Sequence, residues 1–141
     1  DINSAGLLLF TDSGELAKGE LMRYLAEMAW YPTALLPSQG VRWEAVDEQS
    51  ARATISDGTI AVELLFRFNA AGLIDSVRAE ARGRMIGTTV EHLPWEGRFW
   101  NYAKRSGMTV PLEGEVAWIH PAGPKPYWRG RVTRISFEFA Q

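Results

Sequence analysis

The 141-residue chain carries 15 basic and 17 acidic side chains, a net charge of −2, with 46% hydrophobic and 23% charged residues. That balance is globular, shows no basic footprint for nucleic acid, and is long enough to bury a core without a structural metal. The absence of cysteine excludes a disulfide framework, thiolate zinc sites and a cysteine nucleophile, and suits the cytoplasm and a disulfide-free periplasmic domain alike.

The first apolar run, Leu7 to Phe10, is too short to span a bilayer or form a signal-peptide core, so no membrane span is expected and residues 1–141 read as a single domain. From Asp1 in place of an initiating methionine, an upstream segment is expected, either cleaved or left out of this sequence. Thr11, Asp12 and Ser13 offer capping oxygens and Glu15 stands three residues after Asp12, which predicts a helix from near Ser13. Its apolar stripe is Leu21, Met22, Leu25, Met28 and Ala29, with Lys18, Glu20 and Glu27 on the other side. Pro32 and Pro37 end it, leaving an irregular apolar connector from Trp30 to Pro37.

From Val41 the period becomes two. Val41, Trp43 and Ala45, then Ala51, Ala53 and Ile55, alternate with polar residues as half-buried strands. Asp57-Gly58 predicts a hairpin into Ile60, Val62, Leu64, Phe66 and Phe68, and Asn69 to Gly72 the next turn. A fourth strand, Leu73 to Arg84, sets Val77, Ala79 and Ala81 on a dry face and Arg78, Glu80, Arg82 and Arg84 on a wet one. The pattern lapses at Pro94-Trp95, which predicts a long loop from Gly87 to Gly97 before strands at Phe99 to Lys104 and Met108 to Leu112. Val116, Trp118 and a stretch from Trp128 to Phe139 complete the sheet after a proline-rich turn, Pro121 to Pro126. A parity change between Trp128, Gly130, Val132 and Ile135, Phe137, Phe139 predicts a bulge or coil in the last strand. The whole is an α+β fold, one amphipathic helix packed in the concave face of a curved antiparallel sheet, a half-barrel, with a closed barrel as the alternative.

His92 and His120 lack a second histidine at ligand spacing, so no metal site is expected. No phosphate-cradling loop, dinucleotide fingerprint or nucleophile elbow is present, and no cofactor is implied. Arg23 and Glu27 pair across one helical turn, with Glu20 three residues before Arg23. They either solvate a helix flank or, turned to the sheet, meet residues such as Glu115 and Arg129 in a buried polar cluster. Six tryptophans and four tyrosines pack a core or line an apolar pocket. Tyr24, Trp30, Trp43, Trp118 and Trp128 are the expected lining.

The strings Arg23-Tyr24-Leu25-Ala26-Glu27, Trp30 to Pro37, Pro94-Trp95-Glu96-Gly97, Gly107-Met108, Gly114 to Trp118 and Tyr127 to Arg131 resemble an uncharacterised bacterial domain-of-unknown-function family. The resemblance implies that the chain corresponds to the carboxy-terminal portion of longer members, with a sheet edge left unpaired. The layout of late strands around Gly107-Met108 and Pro111 is also similar to the periplasmic lipoprotein-carrier superfamily, in which a half-barrel cups an apolar ligand; the lipid-attachment cysteine of that group has no counterpart here.

The leading functional expectation is a non-enzymatic domain binding a lipid or other apolar small molecule in the concave face. Two alternatives stand beside it. One is an enzyme acting on a small apolar substrate through Arg23, Glu27, Glu115 and Arg129. The other is a structural module that forms a homodimer or pairs with an upstream segment through an edge strand.

Overall fold

The computed structural model describes residues 14–86 and 88–133. The expected cap at Thr11 to Ser13, the run Leu7 to Phe10 and the residues from Ile135 to Phe139 lie outside them. Helix α1 spans Gly14–Glu27 and buries Leu21 and Leu25 of the expected stripe together with Ala17 and Ala26, with Met22 half-buried. The connector is a run of three 3-10 turns, Met28–Trp30, Pro32–Leu35 and Pro37–Gln39. Pro32 and Pro37 open the second and third, where a missing N–H costs no hydrogen bond.

Among the described residues, seven antiparallel strands follow in simple meander order. They are β1 Arg42–Asp47, β2 Ser50–Asp57, β3 Ile60–Phe68, β4 Ile74–Ile86, β5 Thr89–Arg105, β6 Met108–His120 and β7 Gly123–Arg131. Among the described residues the sheet is curved and unclosed, with β1 and β7 as its two edges. The expected turns close its first hairpins. At Asn69 the side-chain oxygen accepts from the N–H groups of Ala71 and Leu73 at 2.9 and 3.1 Å, an Asx turn. The β5–β6 hairpin turns on Ser106 and Gly107, both at positive φ (53° and 81°), the type I′ geometry that matches strand twist.

One face of the sheet is dry. Ala53, Val62, Leu64, Phe66, Val77, Ala79, Trp95 and Phe99 are buried there together with Leu25, Met28 and Ala29. The helix packs over β2, β3 and β4, and the Met28–Trp30 turn reaches β6. The opposite face carries charges in register: Glu44, Arg52, Arg78 and Glu96 occupy one transverse row, and Arg52 and Arg78 pair with neighbouring glutamates. Such exposed pairs contribute little stability but keep the face wet.

Three expectations are corrected. The long loop from Gly87 to Gly97 does not exist, because β5 runs unbroken from Thr89 to Arg105. Pro94 is accommodated at a bulge: Ala79 pairs with Trp95 and Arg82 with Leu93, so Glu80 and Ala81 together oppose Pro94 and no ladder hydrogen bond is asked of its missing N–H. The bulge also reverses parity in β4. Ala81 is exposed and Arg82, expected on the wet face, turns onto the dry one. Lastly, Pro124 and Pro126 belong to edge strand β7 rather than to a turn; an edge tolerates proline because its outward donors have no partner strand.

Candidate functional site

The helix covers β2 to β4 and leaves the inner face of β5 to β7 partly open. There a cleft of about 450 Å³ lies between the carboxy-terminal half of α1 and these strands. Its apolar wall is Ala26, Trp30, Trp95, Phe99, Val116 and Trp128, and its polar contributors are Glu20, Arg23, Glu27, Arg82 and Tyr127.

Glycines hollow the floor. Gly114 pairs directly with Gly130 across β6 and β7. A Cβ at Gly114 would stand 3.2 Å from the Trp30 ring, and one at Gly130 would stand 2.3 Å from the Trp128 ring. The indoles of Trp30 and Trp128 lie in that space, edge to face with centroids 6.3 Å apart, and Trp30 meets Phe99 in the same way at 5.2 Å. Trp30 is anchored by its indole N–H, which donates to the Pro111 carbonyl at 3.0 Å. Trp128 is 46% exposed and stands at the mouth.

The polar centre is assembled by two bulges. In β7, Val116 pairs with Trp128 and Ala117 with Pro126, leaving Tyr127 as the extra residue. Tyr127 and Trp128 therefore both turn toward the cleft, against strict alternation. The Tyr127 hydroxyl accepts from the Trp95 indole N–H at 2.8 Å, and its ring stacks on Trp118 at 6.0 Å. The bulge in β4 brings Arg82 onto the same group: its guanidinium carbon lies 4.7 Å from the Trp95 ring centre and 5.7 Å from that of Trp118, within cation–π range. On its other side lies Gly19 of α1, where a Cβ would come within 3.3 Å of Arg82 Nε. Desolvation lowers the Arg82 pKa from its ordinary value, offset in part by Tyr127 and Glu20. Arg82 Nε and Nη1 are buried without a hydrogen-bond partner, and so is Glu20 Oε2.

The candidates named from sequence separate. Trp30 and Trp128 line the cleft; Tyr24 is exposed on the helix and outside it. Trp43 packs at the other end of the core, donating to the Leu35 carbonyl at 2.8 Å and meeting Phe66 at 5.1 Å. Trp118 stands behind Tyr127 as a support. Arg23 and Glu27 form an ion pair at 2.9 Å on the cleft rim, with Glu20 3.9 Å from Arg23; the Glu27 hydrogen bond is the main cause that raises the Arg23 pKa. Glu115 borders the cleft, but its carboxylate accepts from Arg129 at 2.7 Å. Arg129 sits over Trp100 at 5.8 Å, on the face opposite Val116 and Trp128. The sheet thus divides the four charged candidates into two ion pairs. Arg82, Trp95, Phe99 and Tyr127 were missed, and the signal for Arg82 was Pro94, where the lapse in alternation marks a bulge between strands and not a loop.

Among the described residues no group of three or more metal-ligating side chains gathers, and no helix is long and apolar enough to cross a membrane. A family model matches residues 5–137. The chain belongs to DUF6920, a family of unknown function. This family is the kind that the strings from Arg23 to Arg131 resemble. No curated protein and no solved structure matches the chain, so the site carries the functional argument by its own geometry.

Proposed function

We propose that the protein is a binding domain for a lipid or other apolar small molecule, held in the half-barrel between α1 and strands β5 to β7. The observation that supports this reading is the glycine-floored aromatic cleft. Two tryptophans and a phenylalanine leave about 450 Å³ open, toward the lower end of the ~300–1,000 Å³ usual for small-molecule sites. Gly114 and Gly130 make room for the two indoles that wall it. With ordinary side chains there, the indoles could not lie against the sheet. The wall is mainly apolar, and its few polar groups converge on one end, as in sites where burial supplies affinity and polar groups supply orientation.

The enzyme alternative draws less support. Arg23 with Glu27 and Arg129 with Glu115 neutralise one another in separate pairs, and among the described residues that line the cleft no serine, threonine or cysteine stands beside a base. The edge-pairing alternative meets Pro124 and Pro126 along β7, a feature that blunts an edge against further strands.

The test is native mass spectrometry of the protein purified gently from its own host, followed by denaturation and solvent extraction. One apolar molecule per chain supports the reading. An empty chain that also fails to take up single-chain amphipaths in titration would falsify it.

A further inference from the structure

Two charged side chains of opposite sign line one cleft, and each has buried polar atoms that lack a hydrogen-bond partner. Glu20 has Oε2 without a hydrogen-bond partner, and Arg82 has Nε and Nη1 in the same condition. They do not pair with each other: Glu20 Oε2 stands 3.9 Å from Arg23 Nη1, an ion pair beyond hydrogen-bond distance, and no ion pair joins it to Arg82. Arg23 is itself committed to Glu27 at 2.9 Å. Burial makes such groups costly unless something completes them. Beside them lies the apolar space bounded by Trp30, Phe99, Val116 and Trp128.

From this we infer that the cleft takes a single-chain amphipath with a zwitterionic head group, its anionic part against Arg82 and its ammonium against Glu20. The inference rests on the apolar-ligand reading above and specifies its chemistry. A purely anionic head would answer Arg82 but meet the Glu20 carboxylate. A purely cationic head would answer Glu20 but meet the guanidinium. A zwitterion answers both and adds no net charge to the cleft, where Arg23 already pairs with Glu27. The modest volume suits one chain rather than two. The guanidinium lies within cation–π range of Trp95 and Trp118, and its planar fork of donors is the geometry that binds carboxylate or phosphate oxygens in pairs.

The experiment is a tryptophan-fluorescence titration of the full chain below the critical micelle concentration of each probe. The probes are lauroyl lysophosphatidylethanolamine, lauric acid, dodecylamine, dodecanol and free phosphoethanolamine. The expected result is that the lysophospholipid binds about tenfold or more tightly than laurate, dodecylamine or dodecanol, and that phosphoethanolamine without a chain does not bind. Glu20→Gln then raises the affinity for laurate, and Arg82→Met raises that for dodecylamine, with folding of both variants checked by circular dichroism. Equal binding of all four chain-bearing probes overturns the head-group inference and leaves the apolar reading intact. Saturation by phosphoethanolamine alone overturns the amphipath. Failure of every chain-bearing probe overturns the apolar reading itself. Should either variant not fold, the comparison of probes on the unaltered chain still decides between these outcomes.

Discussion

Replacing Arg82 by methionine separates a cation kept for a ligand from one kept for the fold. In the free protein its guanidinium is largely desolvated and two of its donors are unmet. Each unmet buried donor costs about 1–3 kcal/mol. The two indoles at 4.7 and 5.7 Å return about 0.5–2 kcal/mol apiece. Methionine keeps the apolar stem against Trp95 and removes the charge with its unmet donors, so the balance of these two terms is a gain of roughly 0–4 kcal/mol. Because Arg82 is only half-buried as a residue, the lower part of that range applies, a gain of about 1–2 kcal/mol. Urea unfolding reads it directly: with a slope near 2 kcal/mol per molar, the midpoint rises by about 0.5–1 M. A midpoint lowered by that amount would mean that the guanidinium is a net structural contributor, and the reasoning that sets it aside for a ligand would be wrong.

Gly130→Ala puts a methyl group where the Trp128 ring lies, 2.3 Å from two of its carbons. The half-exposed indole is expected to swing outward with a stability loss of about 1 kcal/mol or less, a red-shifted emission and loss of amphipath uptake; unchanged emission would place Trp128 elsewhere. Trp95 is 2% exposed, so Trp95→Ala should cost about 3–5 kcal/mol, measured as a urea midpoint, and a loss below 1 kcal/mol would show that its cavity refills. Asp47 has its pKa lowered from 3.8, chiefly by the Gln49 N–H and also by Ser50. A depressed carboxylate contributes stability fully above its unfolded value and loses it as pH falls through its folded value. Unfolding midpoints between pH 5 and pH 2 (about the range that brackets a lowered carboxylate) should therefore fall less in Asp47→Asn than in the parent, and parallel curves would count against the β1–β2 turn as an acid-sensitive element.

How much of this was legible beforehand follows from which interactions are local. The apolar stripe of α1, the alternation in β2 and β3, the Asn69 turn and the meander order are near-neighbour properties. Helix period, strand period and turn chemistry are written into adjacent residues, so Leu21, Leu25, Val62, Leu64 and Phe66 were placed correctly. The aromatic content announced a large apolar surface, and Trp30 and Trp128 were drawn from it, but nothing local distinguished them from Trp43, which the same pattern sends into the core.

Tertiary structure decided the rest because it lies in pairing between strands. A bulge is a mismatch of two chains, and one strand read alone does not say whether its partner skips a residue. The mismatch opposite Pro94 turned Arg82 inward, and the one opposite Val116 and Ala117 turned Tyr127 the same way. The same limitation split Arg23 and Glu27 from Glu115 and Arg129, whose separation by the sheet depends on which face β6 and β7 present. The residues alone determine a helix on an antiparallel sheet rich in tryptophan; the register of β4 with β5 and of β6 with β7 determines that one end of it is a cleft with a buried charge at its base.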